Sequence, residues 1–221
     1  MIVKEIFSDS IPALSVMDSA QRALYFMEFF KVSNLPVVDE QKYLGMITDE
    51  SIIDSNKDNL LVKDFNPEKE NTYVYADDHI YTAIFQMSQY KLSLLTVLDR
   101  NENYLGTISP MHLINAMGQL TSMDQSGSIL VLKVGIRDYS LSEIVQIVES
   151  HQVKILSSYI HTCKDQHHIK VTLKLNTANL ASIKASFERY KYEIDSVFSE
   201  NQMLDDMHKD RLDELMHYLS I

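Results

Sequence analysis

The sequence predicts a mixed α/β (α+β) fold, made of one pseudo-symmetric module followed by a smaller βαββαβ segment and a C-terminal helix. Three observations carry that expectation. A unit of about 60 residues occurs twice in the first half of the chain, a polar linker follows it, and the hydrophobic period beyond the linker alternates between that of strands and that of helices.

The repeat is read directly from the residues. Val3-Lys4-Glu5-Ile6 returns as Val62-Lys63-Asp64-Phe65, and Asn34-Leu35-Pro36-Val37-Val38-Asp39 returns as Leu94-Leu95-Thr96-Val97-Leu98-Asp99. Tyr43-Leu44-Gly45-Met46-Ile47-Thr48 returns as Tyr104-Leu105-Gly106-Thr107-Ile108-Ser109. Asp18, Ala23, Met27, Lys31 and Ser33 each meet an identical residue sixty positions later. One residue is inserted between Asp99 and Gly106, where a turn between strands absorbs it.

Ala20, Ala23, Leu24, Met27 and Phe30 fall on one face of a helix, with Ser19 placed to cap it, and Ile80, Ala83, Ile84, Met87 and Tyr90 repeat the stripe. Each helix is followed by an apolar strand, a polar turn and a second strand ending at Thr48 or Ser109. A further helix is expected after each, through Ile52-Ile53 and from Met111 to Leu120. Of only five glycines, Gly45 and Gly106 occupy one position in both copies, which points to a close approach by a chain segment or a ligand.

Asp124 to Ser128 is small and polar, as linkers are. Beyond it come an expected strand from Ile129 to Ile136, a helix from Ser140 to His151 and a strand from Val153 to Cys163. A strand from His168 to Leu175, a helix from Ala178 to Tyr190 and a strand from Glu193 to Phe198 complete the ferredoxin-like order. A turn centred between Asp165 and Gln166 puts Leu156, Ile160, Val171, Leu173 and Leu175 on the core face. It puts Tyr159, His161, Cys163, His168 and Lys170 on the other. The expected division is 1–60 and 61–125 for the two repeats, 129–199 for the βαββαβ domain and 200–221 for an amphipathic helix bearing Leu204, Leu212, Leu215, Met216 and Leu219.

The formal net charge is -11, distributed as -9 over residues 1–125, +2 over 126–199 and -4 over 200–221. This balance argues against a nucleic-acid partner, whose recognition rests on lysines and arginines. A single cysteine, Cys163, excludes an internal disulfide and fits a reducing compartment. The start does not read as a signal peptide and no apolar run reaches membrane-spanning length, so the expected location is cytoplasmic, with no membrane partner.

The repeated helix, Leu35-Pro36-Val37-Val38-Asp39 and Tyr43-Leu44-Gly45-Met46-Ile47-Thr48 resemble the CBS domain, which occurs as a tandem pair. Residues 129–199 resemble an ACT domain, and the combination is similar to accessory proteins of acetoin utilisation. The resemblance implies a non-enzymatic regulatory protein that senses a small molecule, an adenine nucleotide among the candidates, in the cleft between the repeats, and that forms a homodimer. The family's ligand motif is a glycine, two apolar residues, a serine or threonine, and an aspartate three residues on. Thr48 and Ser109 keep the hydroxyl, while Ser51 and His112 stand at the aspartate positions. Asn34-Leu35 and Leu94-Leu95 are implied to border the base.

The missing aspartates, and Tyr139 where the ACT resemblance implies a glycine, support a second reading. In it the protein is a ligand-independent adaptor whose C-terminal helix docks on a protein partner. His161, Cys163 and His168 share a hairpin face, but without paired-cysteine spacing they read as a polar strand surface rather than a metal site. No phosphate loop, metalloprotease helix or nucleophile elbow occurs, and no catalytic residue is assigned.

Overall fold

The computed structural model describes residues 1–55 and 59–199; the expected C-terminal helix over 200–221 lies outside them. By its internal contacts the chain forms two compact units, Met1–Met117 and Gly118–Ile221.

The first unit holds both repeats. Strand β1 (Leu14–Ser15), helix α1 (Ala20–Phe30), β2 (Asn34–Asp39), β3 (Lys42–Thr48) and α2 (Asp49–Asp54) form the first copy. Strand β4 (Tyr73–Tyr75), α3 (Ile80–Tyr90), β5 (Leu95–Leu98), β6 (Tyr104–Ile108) and α4 (Pro110–Leu120) form the second, α4 running past the end of the unit. Each copy folds its own three-stranded sheet, β1-β2-β3 and β4-β5-β6, with the first pair parallel and the second antiparallel.

The residues that recur have recurring duties. Asp18 Oδ2 accepts the Ser15 amide at 2.8 Å and Asp78 Oδ2 accepts that of Tyr75 at 2.9 Å, so each aspartate fixes the turn between strand and helix. Ser19 caps α1 by accepting from the Arg22 amide at 3.1 Å, and His79 caps α3 through Nδ1. Lys31 and Lys91 end those helices in left-handed backbone, with φ of 57° and 52°. Ala23 with Met27, and Ala83 with Met87, turn inward to separate cores. The residue inserted in the second copy falls within its longer hairpin turn. Both hairpins carry the same irregularity, between Val37 and Val38 and between Val97 and Leu98.

The two copies are laced together. Residues ahead of the second repeat's first strand bridge to the first repeat's β3, Met46 with Glu68, and residues ahead of β1 bridge to β6, Ser8 with Thr107. The hairpin tips also pair, Lys42 with Asn103. This explains Gly45 and Gly106. A Cβ at Gly45 would lie 2.8 Å from the Pro67 carbonyl carbon, and one at Gly106 would lie 2.7 Å from the Ser8 carbonyl oxygen. The close approach comes from the chain itself.

The second unit carries β7 (Ser128–Gly135), α5 (Leu141–Glu149), β8 (Ile155–Thr162), β9 (His168–Leu175), α6 (Ala181–Arg189) and β10 (Glu193–Phe198). Its antiparallel sheet has the order β10-β7-β9-β8, and both helices cluster with one face of it, through Ile144, Ile147, Ile183 and Phe187 against Leu130, Leu132, Val171 and Leu173. The hairpin register is the expected one from Ser157 through Thr162, with Ile160 opposite Val171. Two core assignments are corrected. An irregularity between Ile155 and Ser157 places Ile155, not Leu156, opposite Leu175, and Ile155 packs on the core. Ile160 keeps the core-side parity but is 46% exposed, because β8 is the edge strand and its outer half carries the exposed Ser158, Tyr159, His161 and Thr162 on both faces.

Candidate functional site

The seam between the repeats is built from Ser33 and Ser93. The Ser33 amide donates to Ser93 Oγ at 2.9 Å, and Ser33 Oγ donates to the same oxygen at 3.2 Å. Asn34 breaks the symmetry, since its counterpart is Leu94. Its Nδ2 donates to the Leu94 carbonyl at 2.8 Å, and its Oδ1 accepts from the amides of Ser93 at 3.1 Å and Leu94 at 3.2 Å and from Ser93 Oγ. Asn34 is 2% exposed. A buried amide so placed is satisfied by protein alone and joins the copies.

Thr48 lies opposite Asn34 in the β2–β3 pair, at the start of α2, and Leu95 lies opposite Ile108, one residue before Ser109 at the start of α4. Within each repeat the hydroxyl thus lies at the end of the strand pair that begins at Asn34 or Leu95. Leu35, Leu94 and Leu95 are fully buried and line the cores rather than an open surface.

Each hydroxyl caps its helix. Thr48 Oγ1 accepts from the Ser51 amide at 3.1 Å, while Ser51 Oγ donates to the Thr48 carbonyl at 2.7 Å. Ser109 Oγ accepts from the His112 amide at 3.4 Å, and His112 Nδ1 accepts from the Ser109 amide at 3.2 Å. Accepting through Nδ1 leaves Nε2 as the ring nitrogen that carries a proton in this cap. Both cap hydroxyls act as acceptors and retain their own protons to donate.

Beside the seam opens a cleft of about 570 Å³ lined by Met27, Glu28, Lys31, Ser33, Asp49 and Ser93, among others. None of the eight residues expected to bind ligand lines it. Asp49, which follows Thr48, is tied to Ser33 by an amide-to-carbonyl bond of 3.0 Å. Lys31, Ser33 and Ser93 were visible as identities between the copies, and that identity was the signal available in the sequence.

Four tyrosines lie where the repeats face one another. Tyr43, 2% exposed, hydrogen-bonds Thr72 at 2.7 Å and meets Tyr73 edge-on at 6.0 Å, and Tyr73 meets Tyr75 at 5.6 Å. Burial pushes the Tyr43 hydroxyl up to about 12, as it does that of Tyr104. These phenols stay protonated at neutral pH and act as apolar walls.

In the second unit Tyr139 packs against the core from the loop after β7. Beside that loop is a cleft of about 380 Å³ with Lys133, Asp138, Glu143, His168 and Tyr192 among its walls; the Tyr192 hydroxyl donates to Glu143 at 2.6 Å. His168 turns its Nδ1 to Asp165 at 2.8 Å. The amides of His167 and His168, with the His168 ring, hold the Asp165 carboxyl down at about 2. Among the described residues no three or more His, Cys, Asp or Glu are grouped so as to hold a metal ion. Among them also, no helix is long and apolar enough to cross a membrane.

The first unit is thus two copies of one sheet-and-helix arrangement, bridged to one another. The sequence profile of the CBS domain matches residues 3–58 and 62–119, and the chain belongs to the CBS domain family. CBS pairs are generally regulatory, non-catalytic modules.

Among curated proteins the chain is 27% identical over 122 residues to a homoserine O-acetyltransferase of Methanococcus vannielii, an alignment covering 52% of this chain. The chain spans about a quarter of the length of that relative, 25%. Among solved structures it is similar to a CBS domain pair/ACT domain protein of Thermotoga maritima, with 18% identity, coverage of 54% of this chain and 98% of that one, and a TM-score of 0.49. It is also similar to a Vibrio cholerae protein assigned to acetoin utilization (15%, 56% and 95%, TM-score 0.48). A third similarity is to CBSX2 in complex with AMP (18%, 53% and 96%, TM-score 0.46).

Proposed function

We propose that the protein is a non-enzymatic regulatory sensor whose CBS pair binds a small molecule, an adenosine-containing nucleotide as the leading candidate, at the seam between the repeats. Family membership supports the sensing role. The observation that carries the site is the pair of cap hydroxyls, Thr48 and Ser109, at equivalent helix starts, each used among the described residues as an acceptor. Each therefore has a proton to offer a phosphate or ribose oxygen. In this reading Asn34, Leu35, Leu94 and Leu95 hold the two copies at the spacing the ligand bridges, and a ligand that favours one arrangement of them shifts its population. The proposed division is 1–60, 61–125, 129–199 (ACT-like) and 200–221, in a cytoplasmic protein.

Calorimetric titration with AMP, ADP, ATP, S-adenosylmethionine and cyclic dinucleotides tests the site. Saturable binding of at least one is expected, and silence across the panel would remove the nucleotide reading. The exposed Ser51 provides a sharper measurement. Ser51→Asp restores a carboxylate at the third position of α2, where it can accept both hydroxyls of a ribose. Charge-assisted bonds of about 1.5–3 kcal/mol imply roughly tenfold to hundredfold tighter binding of a ribonucleotide. Unchanged affinity for a nucleotide that does bind would place the ribose elsewhere.

The expected assembly is a homodimer through the helices of the first unit. Tyr25 and Phe29 on α1, Ile53 on α2, Phe85 on α3 and Ile114 on α4 are each more than 60% exposed, and Tyr25 and Phe85 are repeat equivalents. Exposed apolar side chains spread over four helices, with aromatic rings at equivalent positions of α1 and α3, fit a second copy of the same face. Light scattering is expected to give twice the chain mass of 25.5 kDa, and Tyr25→Glu with Phe85→Glu to give the single mass. A native monomer at micromolar concentration counts against the interface.

A further inference from the structure

One face of the second unit's sheet packs against α5 and α6, and on the other Ser157 Oγ donates to the Thr121 carbonyl at 2.8 Å. That other face can be read row by row from the register. His161, Lys170, Lys133 and Glu193 lie side by side across the four strands; Tyr159, Thr172 and Val131 form the next row; Ser157, Lys174, Ile129 and Phe198 form the last. The face thus sets the half-exposed Tyr159 and Phe198, with the partly buried Ile129 and the buried Val131 between them, beside three lysines. Lys170 pairs with Asp195 at 2.6 Å and Lys133 with Glu193 at 3.5 Å. Among the described residues Lys174 has no ion-pair partner.

From the geometry we infer that this face is the docking site of the chain's own last segment, residues 201–221. Three facts select that occupant. The chain leaves β10 immediately after Phe198, which pairs with Ile129 in the row that contains Lys174, so the segment starts at the edge of the face. Residues 200–221 hold six acids and two bases, opposite in sign to the lysine rows, and they carry Leu204, Leu212, Leu215, Met216 and Leu219 for the face's apolar side chains. As a helix, twenty residues extend about 30 Å, whereas four strands at about 4.8 Å spacing place the outer strand axes only about 14 Å apart. A second copy of this face, with three lysines against Glu193 and Asp195, would bring the same small positive excess and no complementary charge for Lys174. A separate acidic partner would compete with a tethered segment whose effective concentration is in the millimolar range.

Carbodiimide coupling of the full-length chain, mixed from unlabelled and ¹⁵N-labelled material, tests the inference. The contact between Lys170 and Asp195 supplies an internal control. Intrachain links from Lys170 or Lys174 to Asp205, Asp206, Asp210, Asp213 or Glu214 are expected, falling several-fold in the Leu212→Asp, Leu215→Asp variant while the control link persists. Links found only between labelled and unlabelled chains would assign the face to a second copy and overturn the inference. So would absence of tail links when the control forms, or tail links indifferent to the leucine substitutions, which would mark chance encounters of a tethered acid. Nucleotide titration reads the first unit, so either result leaves the ligand-sensing proposal to its own test.

Discussion

Gly45→Ala is expected to destabilise the repeat module by about 2–4 kcal/mol, the range of substitutions that force backbone strain into a packed site. Gly45 has φ of 147°, which a side-chain-bearing residue rarely adopts, and its added Cβ would sit 2.8 Å from the carbonyl carbon and oxygen of Pro67 and 2.9 Å from the carbonyl carbon of Glu68. These neighbours are main chain. They cannot turn away as a side chain would, because Glu68 and Met46 exchange amide-to-carbonyl bonds of 2.7 and 2.8 Å across the same contact. The variant must either shift the bridging segment and lose those bonds or tilt β3 and disturb the Thr48 cap. Gly118→Ala supplies the contrast, since nothing lies within 4 Å of its would-be Cβ at the end of α4. It is expected to stabilise by about 0.5–1 kcal/mol, the helix preference for alanine. Urea unfolding of both variants checks the pair, and a loss below about 1 kcal/mol at Gly45 would mean that the bridging segment yields easily.

The sequence made the repeat legible because each duplicated residue has a local duty that its neighbours repeat. Asp18 and Asp78 fix turns, Lys31 and Lys91 end helices, and Ala23 and Ala83 allow helix to meet sheet; local geometry of this kind imposes the same residue in both copies. The hairpin register of the second unit was legible for the same reason, since Lys164-Asp165-Gln166 and the alternation around it define one turn. What escaped was set by relations between elements distant in sequence. The strand irregularity that exchanges Leu156 for Ile155, and the edge position that exposes Ile160, depend on where β8 lies relative to the helices, and no period within β8 reports that.

The candidate site divides along the same line. Thr48 and Ser109 could be found from the motif, and the structure places both at helix starts. That His112 gives its Nδ1 to the Ser109 amide could not be read from the same positions, because a cap and a ligand contact ask for similar residues there. Asn34 shows the limit most clearly. It stands where the second copy has leucine, and a polar residue at a seam suggests a ligand to bond; its partner is the other repeat.

Asn34→Leu, which makes the first copy match the second, is therefore expected to cost about 3 kcal/mol of module stability although it keeps the branching of the side chain. The substitution removes the acceptor for the Ser93 and Leu94 amides and for Ser93 Oγ, and the donor for the Leu94 carbonyl. Asn34 is 2% exposed and Leu94 fully buried, so water cannot replace every lost partner. Left unsatisfied, a buried polar group costs about 1–3 kcal/mol. Ser93→Ala leaves the Leu94 bonds in place and removes a hydroxyl that is partly open to solvent, for an expected loss of about 1 kcal/mol. Because both side chains hold the seam, the double variant is expected to lose less than the sum of the two singles, as contacting residues do. Denaturant unfolding of the three variants measures this coupling directly. Strict additivity would show that Asn34 holds the other repeat through its bonds to Leu94, with no help from the Ser93 hydroxyl.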